Sequence, residues 1–553
     1  MKKLVLTAAV LGIGFSATAQ NYTDGLRFSE NEYEGTARTM AMGNAFTALG
    51  GDMGSLGINP AGSAVARHSQ FTVSPGMNIS IARVQGEVLN DGSVGFGTKL
   101  QNDKSRFSMP NLGGMINFNT GRSRGLKNWS MGFVVNNTRS YNEDIIARGL
   151  NTRTSAFGEM AARAQYEYGY QPSDFSVDNV YDNIYAGDYD LVSAFRAGAI
   201  AGTSFTQNGK TENAFVGVTE NSSVDGRIGI GEHGLNQNFG QTISGAKSDF
   251  VYNLAFNFSD VLFFGANIGV TTINYNSNEF LREDAVDIED VRIDFGESGA
   301  TYFSSAKKTY SYRADGTGVY GKFGFILTPW RGLRLGAAIQ TPTSYTIRER
   351  IGYSSEAKFE DPKFNGSDSA PVSKYEYDFK APLRANFGVA YTFGKFGIVS
   401  ADYELSNYRK MYFSVPDTSD NSEFDDANNG IYDLCGVQHY LRLGAEVKPA
   451  EWFSVRAGYT LKTTGQTYEY DGDSLVKAPA QNVQTASFGF GFSSGAFFAD
   501  FAAVGYFYPT QYIMPYGNYD YADDTHRSLT TESPIIRYKR NLVKVVATLG
   551  VRF

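Results

Sequence analysis

Short runs in which apolar side chains alternate one for one with polar or small ones recur along most of this chain. Phe453, Val455, Ala457, Tyr459 and Leu461 alternate with Ser454, Arg456, Gly458, Thr460 and Lys462. A period of two is that of a strand, because successive side chains point to opposite faces. Phe488, Phe490 and Phe492 stand against Ser487, Gly489, Gly491 and Ser493, and Leu441, Leu443, Ala445 and Val447 against Arg442, Gly444 and Glu446. The chain closes in the same way, with Val543, Val545, Ala547, Leu549, Val551 and Phe553 on one face and Lys544, Thr548, Gly550 and Arg552 on the other. Each such strand separates two different solvents.

The runs are joined by connections of two lengths that alternate strictly. Tight ones fall at Ser259-Asp260, Thr328 to Gly332, Gly394-Lys395, Pro449 to Trp452 and Ser494-Gly495, and the others are long and rich in Tyr, Asp, Asn, Ser and Gly. Counting runs gives about fourteen spanning strands centred near Phe71, Gly114, Phe133, Leu254, Ala266, Gly324, Gly336, Phe387, Ala401, Leu443, Ala457, Phe488, Phe501 and Val546. The fold this predicts is all-β: a transmembrane antiparallel β-barrel over residues 69–553 with long extracellular loops. No segment after residue 19 approaches the roughly 18 apolar residues of a membrane helix. A barrel strand needs only about 9 to 11 residues, half of them apolar.

Two regions break the rhythm. Residues 1–19 read as an export signal, with Lys2 and Lys3, the apolar run Leu4 to Phe15, and the small-residue site Ala17-Thr18-Ala19. Residues 20–68 then form a separate element ahead of the barrel. Residues 148–247 are too long for an ordinary loop and read as an external insertion, with helix-compatible spacing in Phe157 to Tyr166 and Val180 to Ala199.

Composition narrows the function. The net charge of -8 and the lack of a basic stripe disfavour a nucleic-acid partner. The only cysteine, Cys435, excludes an internal disulfide. The residues Gly35 to Asp52 run into Ile58-Asn59-Pro60-Ala61-Gly62, and this arrangement resembles the FadL family of outer-membrane transporters for long-chain fatty acids and other hydrophobic compounds. Asn59, Pro60 and Ala61 match the family's hatch motif. The run Gly332 to Pro342 with Tyr345, the run Tyr440 to Gly444 with Trp452 to Tyr459, and the terminal Phe553 extend the likeness along the barrel. The insertion and the extension Gln20 to Glu34 depart from the family.

The resemblance implies a fourteen-stranded barrel plugged by residues 20–68 in the cell outer membrane of a Gram-negative bacterium. It also implies passive uptake of a hydrophobic or amphipathic small molecule such as a long-chain fatty acid, without catalysis or cofactor. Phe553 would be the signal read by the β-barrel assembly machinery, and outer-membrane lipid would surround the wall. A plug is also expected on physical grounds, because a barrel of about fourteen strands is wider than its side chains can fill. The alternative is a scaffold or shuttle subunit that binds other surface or secreted proteins through its extracellular loops.

Among lumen-facing charges, Arg442 and Arg456 are candidates for a ligand carboxylate; the competing role, with Glu446, Asp500 and Lys544, is mutual pairing that stiffens the lumen. The tract Tyr506 to Tyr521 reads as an aromatic girdle in its first half, or as an outer platform. Asp425, Asp426, Asn428 and Asn429 miss calcium-loop spacing. Gly229 to Gly234 matches a dinucleotide-loop pattern by letter, without a βαβ frame. His68, His233, His439 and His526 show no metal-ligand pairing, and no metal is expected.

Overall fold

The computed structural model describes residues 21–87, 95–207, 210–222, 228–418, 420–471, 474–522 and 528–553. The expected signal segment and His526 lie outside them. Among the described residues, fourteen strands close one antiparallel barrel. In chain order they are β1 Gln70–Gly86, β2 Leu100–Asn119, β3 Leu126–Asn151, β4 Leu235–Phe258, β5 Leu262–Ala285 and β6 Ala300–Trp330. There follow β7, made of Leu333–Gln340 and Ser344–Phe359; β8, made of Ser373–Lys380 and Arg384–Phe393; and β9, Gly397–Asn407 continued by Tyr412–Ser414. The last five are β10 Val437–Ala450, β11 Phe453–Lys462, β12 Val483–Ser494, β13 Phe497–Ile513 and β14 Ile536–Arg552. β1 closes the ring by pairing with β14, Gln70 opposite Arg552 and Met77 opposite Val545. Every strand centre expected from the alternation falls inside its own strand.

Proline punctuates these strands, because it has no N–H to give the ladder. Pro75, Pro329, Pro449 and Pro509 each sit where the register shifts, and Pro342 and Pro382 lie in the breaks that divide β7 and β8.

The alternation sorts into a wall with two faces. Along β14, Val545 and Leu549 point outward and are exposed, while Lys544, Val546 and Thr548 are buried inside. Aromatic rings gather outside the rim that carries the short turns, where Trp330, Phe393, Phe396, Trp452 and Phe497 are all exposed. No helix among the described residues is long and apolar enough to cross a membrane.

Several expectations are corrected. β3 and β4 stay paired from Leu126 opposite Phe258 to Asn151 opposite Leu235, so the insertion is the 152–234 segment and not 148–247. Its helices are shorter than their spacing suggested: Ala156–Ala162 passes into one wide turn, and the second stretch divides into Val180–Asn183 and Tyr189–Arg196. Tyr506 and Tyr508 do not form a girdle; they face inward against Lys544 and Arg540, and only Phe507 between them is exposed outside. Asp425 and Asp426 begin a helix, Asp425–Leu434. Gly229 to Gly234 leads from a short strand through a turn into β4, with no helix to receive a phosphate.

Candidate functional site

Residues 21–68 lie against the inward faces of the strands. Asn21 caps helix α1, Tyr22–Ser29, through a capping box with Asp24. Thr36 caps α2, Ala37–Ala41, and the short α3, Gly62–Val65, follows the Asn59-Pro60-Ala61 turn. Between them Gly43, Asn44, Gly50 and Gly51 all take positive φ, which reverses the chain within a few residues.

Asn59 is the hub of the turn. Its Nδ2 donates to the carbonyls of Thr47 (2.6 Å) and Phe325 on β6 (3.1 Å), and its Oδ1 accepts from the Ala61 amide at 3.0 Å. The Pro60 carbonyl accepts from Asn253 Nδ2 on β4 at 2.9 Å. The wall admits this backbone because glycine faces it on one strand after another. A β-carbon on Gly265, Gly324, Gly336, Gly388, Gly444, Gly458 or Gly489 would collide with residues between Ala41 and Ala61.

The lumen charges are paired. Arg442 is fully buried: its Nη1 meets Glu404 at 3.1 Å, its Nη2 meets Asn386 at 2.7 Å, and its plane lies on Tyr33. Arg456 joins Glu446 and Asp500, each at 2.6 Å. Arg38 of α2 grips the same Glu446 with Nε at 2.8 Å and Nη2 at 3.2 Å. Both arginines expected as ligand candidates therefore face protein carboxylates, and Glu446 ties the lumenal segment to the wall.

Sequence reasoning named Glu446 and Asp500 as pairing partners but missed a second set of carboxylates. Glu30, Glu32 and Glu34 belong to the extension that departs from the resembling family. Glu30 pairs with Arg139, and Lys544 reaches Glu32 at 3.3 Å and Glu34 at 2.6 Å. Their spacing of two was the available signal: it is a strand's period. The Glu32 and Glu34 amides donate to the Thr138 and Asn137 carbonyls at 2.5 and 3.1 Å. They can do so because β2 has left β3. The β2–β3 ladder ends at Asn111 opposite Asn136, next to Pro110, and above it β2 pairs only with β1. Side chains bridge most of this breach, as when Lys104 Nζ donates to the Glu143 carbonyl at 3.3 Å, until the Thr98 amide donates to the Arg148 carbonyl at 3.1 Å and closes its far end. Phe107, on its β2 side, is 65% exposed.

A bulge at Thr138 re-aims β3 beyond this point, so that Arg139, Tyr141 and Glu143 line a chamber of about 220 Å³. Its floor is α1, through Leu26 and Arg27, and the other walls come from β4, β5 and β11 to β14. Tyrosine rings are the largest groups in the lining, with Tyr275, Tyr508 and Tyr538 among them. Below, Leu26 and Phe28 join a buried cluster with Tyr345, Tyr377, Phe379 and Phe413.

Of the other expected residues, Phe553 exchanges backbone hydrogen bonds with Ser69 and leaves its ring 72% exposed. His68 is exposed at the same rim, His439 lies outside on β10 bonded to Tyr403, and His233 meets Asp290 in the insertion. No group of three or more His, Cys, Asp or Glu side chains among the described residues is arranged to hold a metal ion.

No family model and no curated protein matches this chain. Solved structures similar to it include a FadL homologue of Pseudomonas aeruginosa, at 11% identity over 94% of this chain and 99% of that one, with a TM-score of 0.48. The toluene transporter TodX of P. putida aligns at 12% identity over 94% and 99% of the two chains, TM-score 0.46. The toluene transporter TbuX of Ralstonia pickettii aligns at 12% identity over 94% and 99%, TM-score 0.44.

Proposed function

We propose that this chain is an outer-membrane barrel for passive passage of small hydrophobic or amphipathic molecules, with residues 20–68 as its hatch. The observation that carries the reading is the conjunction of a lumenal segment held by side-chain contacts and a few backbone hydrogen bonds, outside the barrel ladder, and a breach in the wall beside it. The ion pairs, the Asn59 turn and the glycine-faced wall make a seat from which the segment can be displaced without breaking the barrel ladder. The breach begins among outward apolar residues such as Phe107 and Met109. The chamber above α1 and this breach share one strand, β3, and the sideways route toward lipid would run past it. Capture draws on apolar burial, worth roughly 0.8 kcal/mol per CH₂, and no step requires catalysis.

Uptake of a radiolabelled hydrophobic solute by cells that carry or lack the chain tests this. Expression should raise the initial rate severalfold, and equal rates would refute passage. Deleting residues 20–62 should leave a folded barrel whose KCl conductance in a planar bilayer rises well above that of the intact chain.

A second reading, a scaffold for other surface proteins, draws on the insertion. That segment has its own core around Phe157, Phe175, Leu191 and Phe215, more structure than a loop needs. A stoichiometric protein partner retained in mild detergent, with no solute uptake, would favour it.

A further inference from the structure

The chamber above α1 carries more chemistry than an apolar conduit requires. Four cations line it, Arg27, Arg139, Lys462 and Arg540, against two carboxylates, Glu30 and Glu143. Arg27 is held by Asp24 just outside the lining, Arg139 and Lys462 share Glu30, and Arg540 takes Glu143, which leaves one cation in excess to attract an anion. Its volume of about 220 Å³ falls below the roughly 300 Å³ at which drug-sized sites begin, so its occupant is compact.

Arg540 is the distinctive member. It is 6% exposed; Nη1 pairs with Glu143, and its plane lies on the Tyr508 ring, 4.7 Å from the centroid. Nε and Nη2 have no hydrogen-bond partner among the described residues. These two nitrogens form one edge of the guanidinium, the same edge with which Arg38 holds both oxygens of Glu446. Arg442 and Arg409 each have a single buried nitrogen, Nε, without a partner. A buried two-pronged donor edge without an acceptor is costly, and a planar carboxylate is the group that matches it. Both nitrogens are covered from solvent, and for an acceptor to reach them a neighbouring side chain must shift.

We propose that this chamber is a subsite for a compact carboxylate, aromatic or short-chain, whose two oxygens accept from Nε and Nη2 of Arg540 while its apolar part lies against the tyrosine rings. This rests on the passage reading and names the class of molecule selected.

The test is calorimetric titration of the full-length protein in detergent with benzoate and with its neutral analogue benzyl alcohol. Benzoate should bind at least tenfold tighter. Arg540→Lys keeps the charge beside Glu143 but loses the fork, and should remove most of that preference while leaving benzyl alcohol binding unchanged. Equal binding of the two by the wild-type chain, or an undiminished preference in Arg540→Lys, overturns the proposal. If the variant does not fold, the wild-type comparison alone decides. Uptake by cells separates the two readings. Solute uptake without a benzoate preference in binding sinks the subsite and leaves passage standing. Tight benzoate binding without uptake of any solute sinks passage and leaves the subsite.

Discussion

A β-carbon added to Gly265 on β5 would stand 2.5 Å from the carbonyl carbon of Pro60. The wall and the Asn59-Pro60-Ala61 turn meet backbone to backbone, with no flexible side chain between them to yield. Gly265→Val should therefore lift the turn from its seat, at a cost of about 1–3 kcal/mol for overpacking. Ala266→Val, one residue on and pointing outward, should do nothing. The measurement is planar-bilayer conductance of KCl: higher for Gly265→Val, unchanged for Ala266→Val. Equal conductance would mean that the turn does not close the lumen.

Glu446 carries a second, electrostatic seat, because its carboxylate serves Arg38 of α2 and Arg456 of β11 together. Glu446→Gln leaves Arg38 with only Asp52, at 3.8 Å, while Arg456 keeps Asp500. Breaking a buried pair from one side typically costs about 3–5 kcal/mol. Trypsin cleavage after Arg38 should rise at least tenfold in Glu446→Gln. Arg38→Met combined with Glu446→Gln should cost less than the two changes summed, as residues in direct contact do. Additive costs would show that the two do not act as a pair.

The barrel was legible because its physics is local: period-two alternation and turn chemistry specify strands one at a time, and Leu443 or Phe488 needs no partner to be placed. The seat was legible only in part. Asn59-Pro60-Ala61 stood out as a motif, and pairing of Arg456 with Glu446, opposite it on the next strand, was one of the two roles weighed; the Arg442 partners Glu404 and Asn386 lie on strands farther away in sequence, and nothing local separates a ligand-binding arginine from a paired one. The pairing of Glu30, Glu32 and Glu34 was missed because they lie in an extended stretch outside the barrel strands, and their partners Arg139 and Lys544 are far away in sequence. The first half of the Tyr506 to Tyr521 tract was misread because composition suggested a girdle, whereas strict alternation through Lys544-facing Tyr506 puts the tyrosines inside.

The insertion should respond to pH through Glu220. Burial pushes its carboxyl up to about 7 from the ordinary 4.5, against the pull of its hydrogen bond from the Gly217 amide. An acid raised in the folded state binds more protons there than when unfolded. Stability is therefore full below about pH 4.5 and falls as pH rises through 7, by an amount of the order of 3 kcal/mol. Limited proteolysis within 152–234 should be slower at pH 5.5 than at pH 8, and Glu220→Gln should flatten that difference. A faster cut at the lower pH would contradict the assignment.

Cys435 offers a reporter of whether α1 is seated. It follows the helix Asp425–Leu434 in the β9–β10 loop, is fully buried, and its thiol is pushed up to about 12 by that burial. At pH 8 a thiol of that kind is thiolate about one part in ten thousand, so iodoacetamide should leave the native chain unlabelled for hours. The cover is supplied from inside the barrel: Leu26 and Phe28 of α1 share one buried cluster with Tyr408, Met411, Ile431 and Cys435, and the Tyr22 ring lies over Gly430. Deleting residues 20–62 removes that cover and leaves the fourteen-strand ladder in place. The labelling rate of Cys435 should then rise at least tenfold, while the β-sheet circular dichroism stays as it was. A thiol that remains inert after the deletion would show that α1 does not close over the loop, and the seat of the lumenal segment would have to lie wholly below it, at Asn59 and Glu446.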